Sequence, residues 1–155
     1  MTVAYVGIGS NLGEPETQVR KAFDELDRMP RTRLVKKSSL YRSAPVGLAE
    51  QPDFVNAVAQ LETGLPAERL LAELQEIEAR HGRQRSFRNA PRTLDLDVLL
   101  YGELSLDLPD LKIPHPRMHE RAFVLRPLIE ISPALQRRFK ACLDACADQN
   151  IERID

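Results

Sequence analysis

Neither sign of charge is in excess in this chain: 22 Lys and Arg face 23 Asp and Glu, a formal net charge of -1. That excludes the pervasive basic surface of a general nucleic-acid binder, so any anion site must be local. Nor does any apolar run approach the roughly 18 residues that a bilayer-spanning helix needs, and Met1 to Ser10 shows no basic lead followed by a long apolar stretch. The expectation is a soluble cytoplasmic protein with neither a membrane nor a nucleic-acid partner. Cysteine is scarce. Cys142 and Cys146 stand one helical turn apart in a segment that reads as helix, which suits neither a disulfide framework nor the spaced pairs of a zinc site. Internal repeats, low-complexity tracts and an evident domain boundary are missing as well. With 155 residues and 43% hydrophobic composition, one domain over 1–155 with a real core is expected, taken as a monomer.

What is present has a clear order. Val3 to Gly9 is a short apolar run closed by Ser10-Asn11-Leu12-Gly13, a buried strand ending in a tight turn. Val19, Ala22, Phe23, Leu26 and Met29 recur at helical spacing between Pro15 and Pro30. Arg33 to Tyr41 and Phe54 to Leu61 lean to β structure, separated by a turn-rich connector from Ser43 to Asp53. Pro66 opens a helix striped by Leu70, Leu71, Leu74 and Ile77, with Gly82 at the C-cap, and Thr93 to Tyr101 reads as a strand. This β-α-β-β-α-β order predicts an α+β split βαβ sandwich: two helices cover one face of an antiparallel sheet, and a site lies on the other. Leu106 to Ile113 suggests short strands, and Arg121 to Ile131 and Leu135 to Ala147 a C-terminal helical extension.

In Thr93-Leu94-Asp95-Leu96-Asp97-Val98-Leu99, the two-residue period puts both carboxylates on one strand face and Leu94, Leu96 and Val98 on the other. Oxygen ligands at that spacing suit a hard cation such as Mg²⁺. Isolated, an Asp-x-Asp pair is most often a solvated strand face. The preceding segment changes the reading, because no acidic residue falls between Glu78 and Asp95 while Arg80, Arg83, Arg85, Arg88 and Arg92 crowd there with His81. Guanidinium groups beside paired carboxylates are what a metal-bound polyphosphate needs. Gly7-x-Gly9-Ser10-Asn11-x-Gly13 lacks both the Gly-Lys-Ser/Thr ending and the dinucleotide-binding spacing, and is read as a turn. His115, between Pro114 and Pro116, is as readily a phosphate donor as a plain loop residue; Phe123 by default is core, and Asn56 a strand-edge contact.

Arg88-Asn89-Ala90-Pro91-Arg92-Thr93-Leu94-Asp95-Leu96-Asp97-Val98-Leu99 closely resembles the signature of the 6-hydroxymethyl-7,8-dihydropterin pyrophosphokinases of folate biosynthesis. Gly9 to Gly13, Pro52-Asp53-Phe54-Val55-Asn56 and Ile113 to Phe123 support it, so the resemblance spans nearly the whole chain. It implies a ferredoxin-like α+β fold and transfer of the β,γ-diphosphoryl group of ATP to the pterin's hydroxymethyl oxygen, releasing AMP. It further implies that Asp95 and Asp97 hold two Mg²⁺ ions, that Arg83 and Arg92 stabilise the transferring group, and that Arg85 assists loop closure. Glu78, Val98, His115 and Arg121 would join Arg85 and Arg92 around ATP. For the pterin it points to Phe54 and Phe123 for stacking, Asn56 for hydrogen bonds, and Ser43, Ala44 and Val46 for backbone contacts. Some family members carry a tryptophan before the Gly-Pro-Arg element, whereas this chain has Asn89-Ala90 there and no Trp. Two rivals stand beside this reading: a metal-dependent nucleotidyltransferase or nuclease, and an RNA-binding module stacking bases on Tyr5 and Phe54.

Overall fold

A computed structural model describes residues 1–44, 51–82 and 93–155. Its frame is β1 (Thr2–Ser10), α1 (Pro15–Asp27), β2 (Thr32–Lys37), β3 (Tyr41–Ser43), β4 (Phe54–Thr63), α2 (Ala67–Arg80) and β5 (Asp95–Tyr101). The hairpin β6 (Leu106–Leu108) and β7 (Leu111–Ile113) follows, then α3 (Ala122–Ile131), α4 (Pro133–Ala145) and β8 (Ile151–Arg153). The main sheet runs β5-β1-β4-β3-β8, with β2 also on β4, and every pairing is antiparallel. This is the ferredoxin-like arrangement expected from the element order.

The stretch Arg33 to Tyr41 is not one strand but two laid end to end along β4. Lys37 pairs with Ala59 and Tyr41 with Asn56, and between them Ser38 takes over the ladder. Its N–H donates to Val58 O at 2.9 Å, and its Oγ accepts the Val58 N–H at 2.9 Å. A serine side chain competing with the backbone is the local reason for the break.

One face of the sheet carries Ala4, Val6, Ile8, Val55, Ala57, Ala59, Leu61, Leu96 and Val98, packed on Val19, Ala22, Phe23 and Leu26 of α1 and Leu70, Leu74 and Ile77 of α2. Pro15 at the first turn starts α1, and Gly82, at φ 77°, closes α2 with its N–H on Ala79 O at 3.0 Å. Arg80 and His81 do not belong to the cationic segment that follows. Arg80 is the last residue of α2, 3.7 Å from Glu25 of α1, and the nearly buried His81 ring bonds both Gln18 and Glu25. They form a joint between the helices, drawn together by Glu25.

The second face is only partly open. Met118, Leu125, Leu128, Ile131, Phe139 and Cys146 build a second apolar cluster over Val58, Leu99 and Leu100, so the C-terminal segment covers part of it. Cys142 and Cys146 are free thiols packed here, and burial first of all pushes the Cys146 thiol pKa up. Tyr5 is capped too, its hydroxyl donating to Ser132 Oγ at 3.1 Å. That removes it from the exposed aromatic platform an RNA-binding module would need. Among the described residues no helix is long and apolar enough to cross a membrane.

Candidate active site

Strand register, not a loop, delivers the two carboxylates. Asp95 and Asp97 pair across to Gly9 and Gly7 of β1; Gly9 pairs on its other side with Asn56 of β4, and Asn56 with Tyr41 of β3. Directly paired residues stand on one face, so a row crosses the sheet as Asp95, Gly9, Asn56 and Tyr41. The glycines keep the floor of this row low. A Cβ on Gly9 would lie 3.3 Å from Asn56 Oδ1 and 3.8 Å from Phe54 Cδ1, and one on Gly7 3.4 Å from Leu99 Cδ2. The apolar run Val3 to Gly9 places both in a strand, while the glycine motif that overlaps it reads as a turn; both are interior strand positions, and of that motif's glycines Gly13, at φ 68°, sits in the turn proper. Glycine inside a buried strand marks a place where something else approaches the backbone closely.

Over that floor lies an open cleft, lined by Gly7, Gly9, Ser43, Ala44, Phe54, Asn56, Asp95, Asp97, Leu99, His115, Arg121, Phe123 and Val124. One end is flat and apolar with a fixed polar group: Phe54 and Phe123 are half-buried, and the buried Asn56 donates through Nδ2 to Ser43 Oγ at 2.6 Å. That bond turns Asn56 Oδ1 toward Gly9 as an acceptor.

The other end is ionic, with Asp95, Asp97, Arg121 and His115 together. Burial, then the Arg121 guanidinium, depress the His115 pKa below its ordinary value against the upward pull of Asp95. The Arg117 N–H donates to His115 Nδ1 at 3.1 Å, which assigns the proton of the neutral ring to Nε2. His115 is held where it is by its own N–H, bonded to Leu99 O on β5 at 3.0 Å. Arg121 also sits 5.6 Å from the Phe123 ring centroid, joining the ionic and aromatic ends.

The Ser10-Asn11 turn is a staple for both ends. Ser10 Oγ donates to Thr93 O, just before the aspartate strand, and Asn11 Nδ2 donates to Gln51 Oε1 at 2.7 Å and Pro52 O at 3.1 Å, just before Phe54. Both side chains are buried, so they fix the approaches to β5 and β4.

Two expected residues are not brought into the cleft. Val98 alternates to the helix side and is part of the apolar core, so only its backbone faces neighbouring strands. Glu78 is buried on α2 on that same side, where its Oε2 accepts the Leu96 N–H at 2.8 Å. β5 is the edge of the sheet, and the carboxylate stands in for a missing neighbour strand between the two aspartates. Arg83, Arg85 and Arg92, with Val46, lie outside the described residues, as does Arg88.

The donor set fits a magnesium ion. Mg²⁺ is usually held by one or two carboxylates plus substrate phosphates and water, not by an all-protein cage. Asp95 and Asp97 supply the pair, half-buried at a cleft with room for the rest, and among the described residues no group of three or more His, Cys, Asp or Glu forms a cage.

The class this defines is an α+β fold whose cleft suits a metal-bound anion at one end and a flat heterocycle at the other. The profile of the 7,8-dihydro-6-hydroxymethylpterin-pyrophosphokinase family matches residues 5–133. A 2-amino-4-hydroxy-6-hydroxymethyldihydropteridine pyrophosphokinase of Pseudomonas aeruginosa is 52% identical over 154 residues, covering 97% of this chain and 95% of that one. Its Haemophilus influenzae namesake is 48% identical over 135 residues, covering 87% and 84%. The chain belongs to the 7,8-dihydro-6-hydroxymethylpterin-pyrophosphokinase family. A solved Plasmodium falciparum HPPK-DHPS chain shares the fold with a TM-score of 0.68 at 12% identity, covering 94% of this chain and 43% of that longer one.

Proposed function

We propose that this chain transfers the β,γ-diphosphoryl group of ATP to the hydroxymethyl oxygen of 6-hydroxymethyl-7,8-dihydropterin, as its family membership supports. The hydroxymethyl oxygen bonds to the β-phosphorus, the bond from that phosphorus to the α–β bridging oxygen breaks, AMP leaves, and the hydroxyl proton is released. The observation that carries this reading is a single cleft with Asp95 and Asp97 at one end and Phe54, Asn56 and Phe123 at the other. It is what an in-line transfer between a nucleotide and a pterin needs.

Each residue then has a task. Asp95 and Asp97 hold two Mg²⁺ ions with the triphosphate. When bound, these ions offset phosphate charge and orient the attacking and leaving oxygens. His115, neutral with its proton on Nε2, donates to a phosphate oxygen, and Arg121 pairs with another. Arg83 and Arg92 stabilise charge on the transferring group, and Arg85 assists closure over it. The pterin stacks between Phe54 and Phe123, presents N–H donors to Asn56 Oδ1, and meets backbone groups of Ser43, Ala44 and Val46. Glu78 serves ATP through the strand it holds. The chain acts as one unit over 1–155, a soluble cytoplasmic monomer with no nucleic-acid partner.

The test is incubation of the purified protein with Mg-ATP and 6-hydroxymethyl-7,8-dihydropterin, with chromatographic separation of the nucleotides. AMP appearing only with the pterin, and without free pyrophosphate, is the expected result. Pterin-dependent ADP, or AMP with free pyrophosphate, would point to an ordinary kinase or a nucleotidyltransferase instead.

A further inference from the structure

The family match ends at residue 133, yet the chain beyond it is wired into the cleft. The first turn of α3 carries Arg121 and Phe123, and it is poorly secured from within. Arg121, the N-cap residue, makes no side-chain cap bond, so the first helical N–H groups lack the usual Ser, Thr, Asp or Asn acceptor. Pro127 inside the helix removes the N–H that would have bonded the carbonyl of Phe123.

The missing support arrives from 27 residues downstream. Gln149 Oε1 accepts the Ala122 N–H at 2.9 Å, and Gln149 Nε2 donates to Glu120 O at 2.7 Å. One amide thus grips the backbone on both sides of Arg121. The residues after Gln149 grip the opposite wall: β8 pairs Ile151 with Ser43, the acceptor of the Asn56 bond, and Ile154 N–H donates to Leu40 O at 2.9 Å. Arg126 of α3 donates to Ile151 O at 3.3 Å and closes the circuit between the walls.

We infer that Gln149 is a positioning residue for the pterin end of the cleft, fixing the Arg121–Phe123 turn against the Ser43–Asn56 wall through the C-terminal segment. This rests on the reading of the cleft as a pterin site. Gln149 does not line the cleft; through the Ala122 N–H and Glu120 O it sets where Phe123 stands.

The experiment compares the full chain with Gln149→Ala and Gln149→Glu by amide hydrogen exchange and by steady-state kinetics with Mg-ATP and 6-hydroxymethyl-7,8-dihydropterin. Gln149→Ala should speed exchange at Ala122 about five- to tenfold, the worth of one net hydrogen bond, with the amides of Leu128 to Ile131 unchanged. KM for the pterin should rise by a similar factor, with a smaller effect on the ATP end through Arg121, because the metal-binding strand β5 is untouched. Gln149→Glu keeps the acceptor for the Ala122 N–H and should restore protection there. Unchanged exchange at Ala122 would overturn the inference. So would a fall in melting temperature with faster exchange throughout and an unaltered pterin KM, which would mean general stabilisation only. Failure of the wild type to make AMP would count against the function proposed above and remove the pterin role, while exchange at Ala122 would still decide whether Gln149 holds the turn.

Discussion

The two faces of the sheet are made from the same strands and have opposite characters. Along β1, Ala4, Val6 and Ile8 point to α1 and α2, whereas Tyr5, Gly7 and Gly9 point away; along β5, Leu96 and Val98 are core, whereas Asp95 and Asp97 line the cleft. A period of two separates them, so a one-residue slip in register would exchange core for site. Stability is concentrated on the helix-covered face and chemistry on the other. The sharpest way to break this division is Asp97→Ala. Turnover should fall on the order of a thousandfold or more through loss of metal and phosphate alignment, with the melting temperature nearly unchanged. A variant that retains even a tenth of wild-type kcat would show that chemistry does not depend on this face as argued.

Leu74→Ala tests the reverse. Leu74 is fully buried between α2 and the sheet, and its truncation should cost about 2–5 kcal/mol of stability. Measured by urea unfolding beside kinetics at a temperature where the variant is folded, stability should drop while both KM values stay within about twofold. Between these extremes stands Gly9→Ala. Its Cβ would meet Asn56 Oδ1 at 3.3 Å, so the amide must give way and the floor rises. A pterin KM increase of about tenfold is expected from one disturbed hydrogen bond, with a stability change below about 1 kcal/mol. An unaltered pterin KM would remove Gly9 from the site.

What was legible in the sequence follows the same division. Alternation exposed Asp95 and Asp97, and helical spacing exposed the faces of α1 and α2, because those signals are local and repeat. Long-range polar pairings left no such trace. Arg80 and His81 read as members of a cationic stretch because sequence spacing does not show that Glu25, on another helix, captures both. The motif from Gly7 to Gly13 read as a turn although Gly7 and Gly9 also end an apolar strand run, because glycine marks both turns and close approach, and the pairing with Asp97 and Asp95 tells them apart. Glu78 lies 18 residues from the strand it supports. β8 has three residues, too few for a period, and Gln149 is one amide among polar neighbours. The family resemblance supplied Phe54, Asn56 and Phe123, which composition alone would have left as core and strand edge.

The smallest effect sharpens the comparison furthest, because it separates the faces by pH. On the cleft side, α3 is latched to the sheet by Glu130, which accepts from Ser39 N–H at 3.1 and 3.0 Å, Ser39 Oγ at 2.9 Å and Tyr41 Oη at 2.6 Å. Burial pushes the Glu130 pKa upward, but the hydrogen bonds from Tyr41 and Ser39 and the charge of Arg153 outweigh it, so the carboxyl lies below its ordinary 4.5. Tyr41 responds in the other direction, pushed up to about 12 by burial first and then by Glu130. A depressed carboxylate contributes stability that is present above its unfolded value and lost as pH falls through the folded one. A raised phenol contributes stability that is present below 10 and lost as pH climbs through about 12. Glu130→Gln keeps an acceptor for Tyr41 and removes the charge. Its urea midpoint should therefore be lower than wild type at pH 7 and fall less steeply below pH about 4.5. The alkaline loss above pH 10 should also weaken, whereas Leu74→Ala should keep the wild-type pH profile at a lower level. Parallel profiles for wild type and Glu130→Gln would mean that the latch is held by shape and not by charge, and the electrostatic contrast between the two faces would then narrow to the cleft itself.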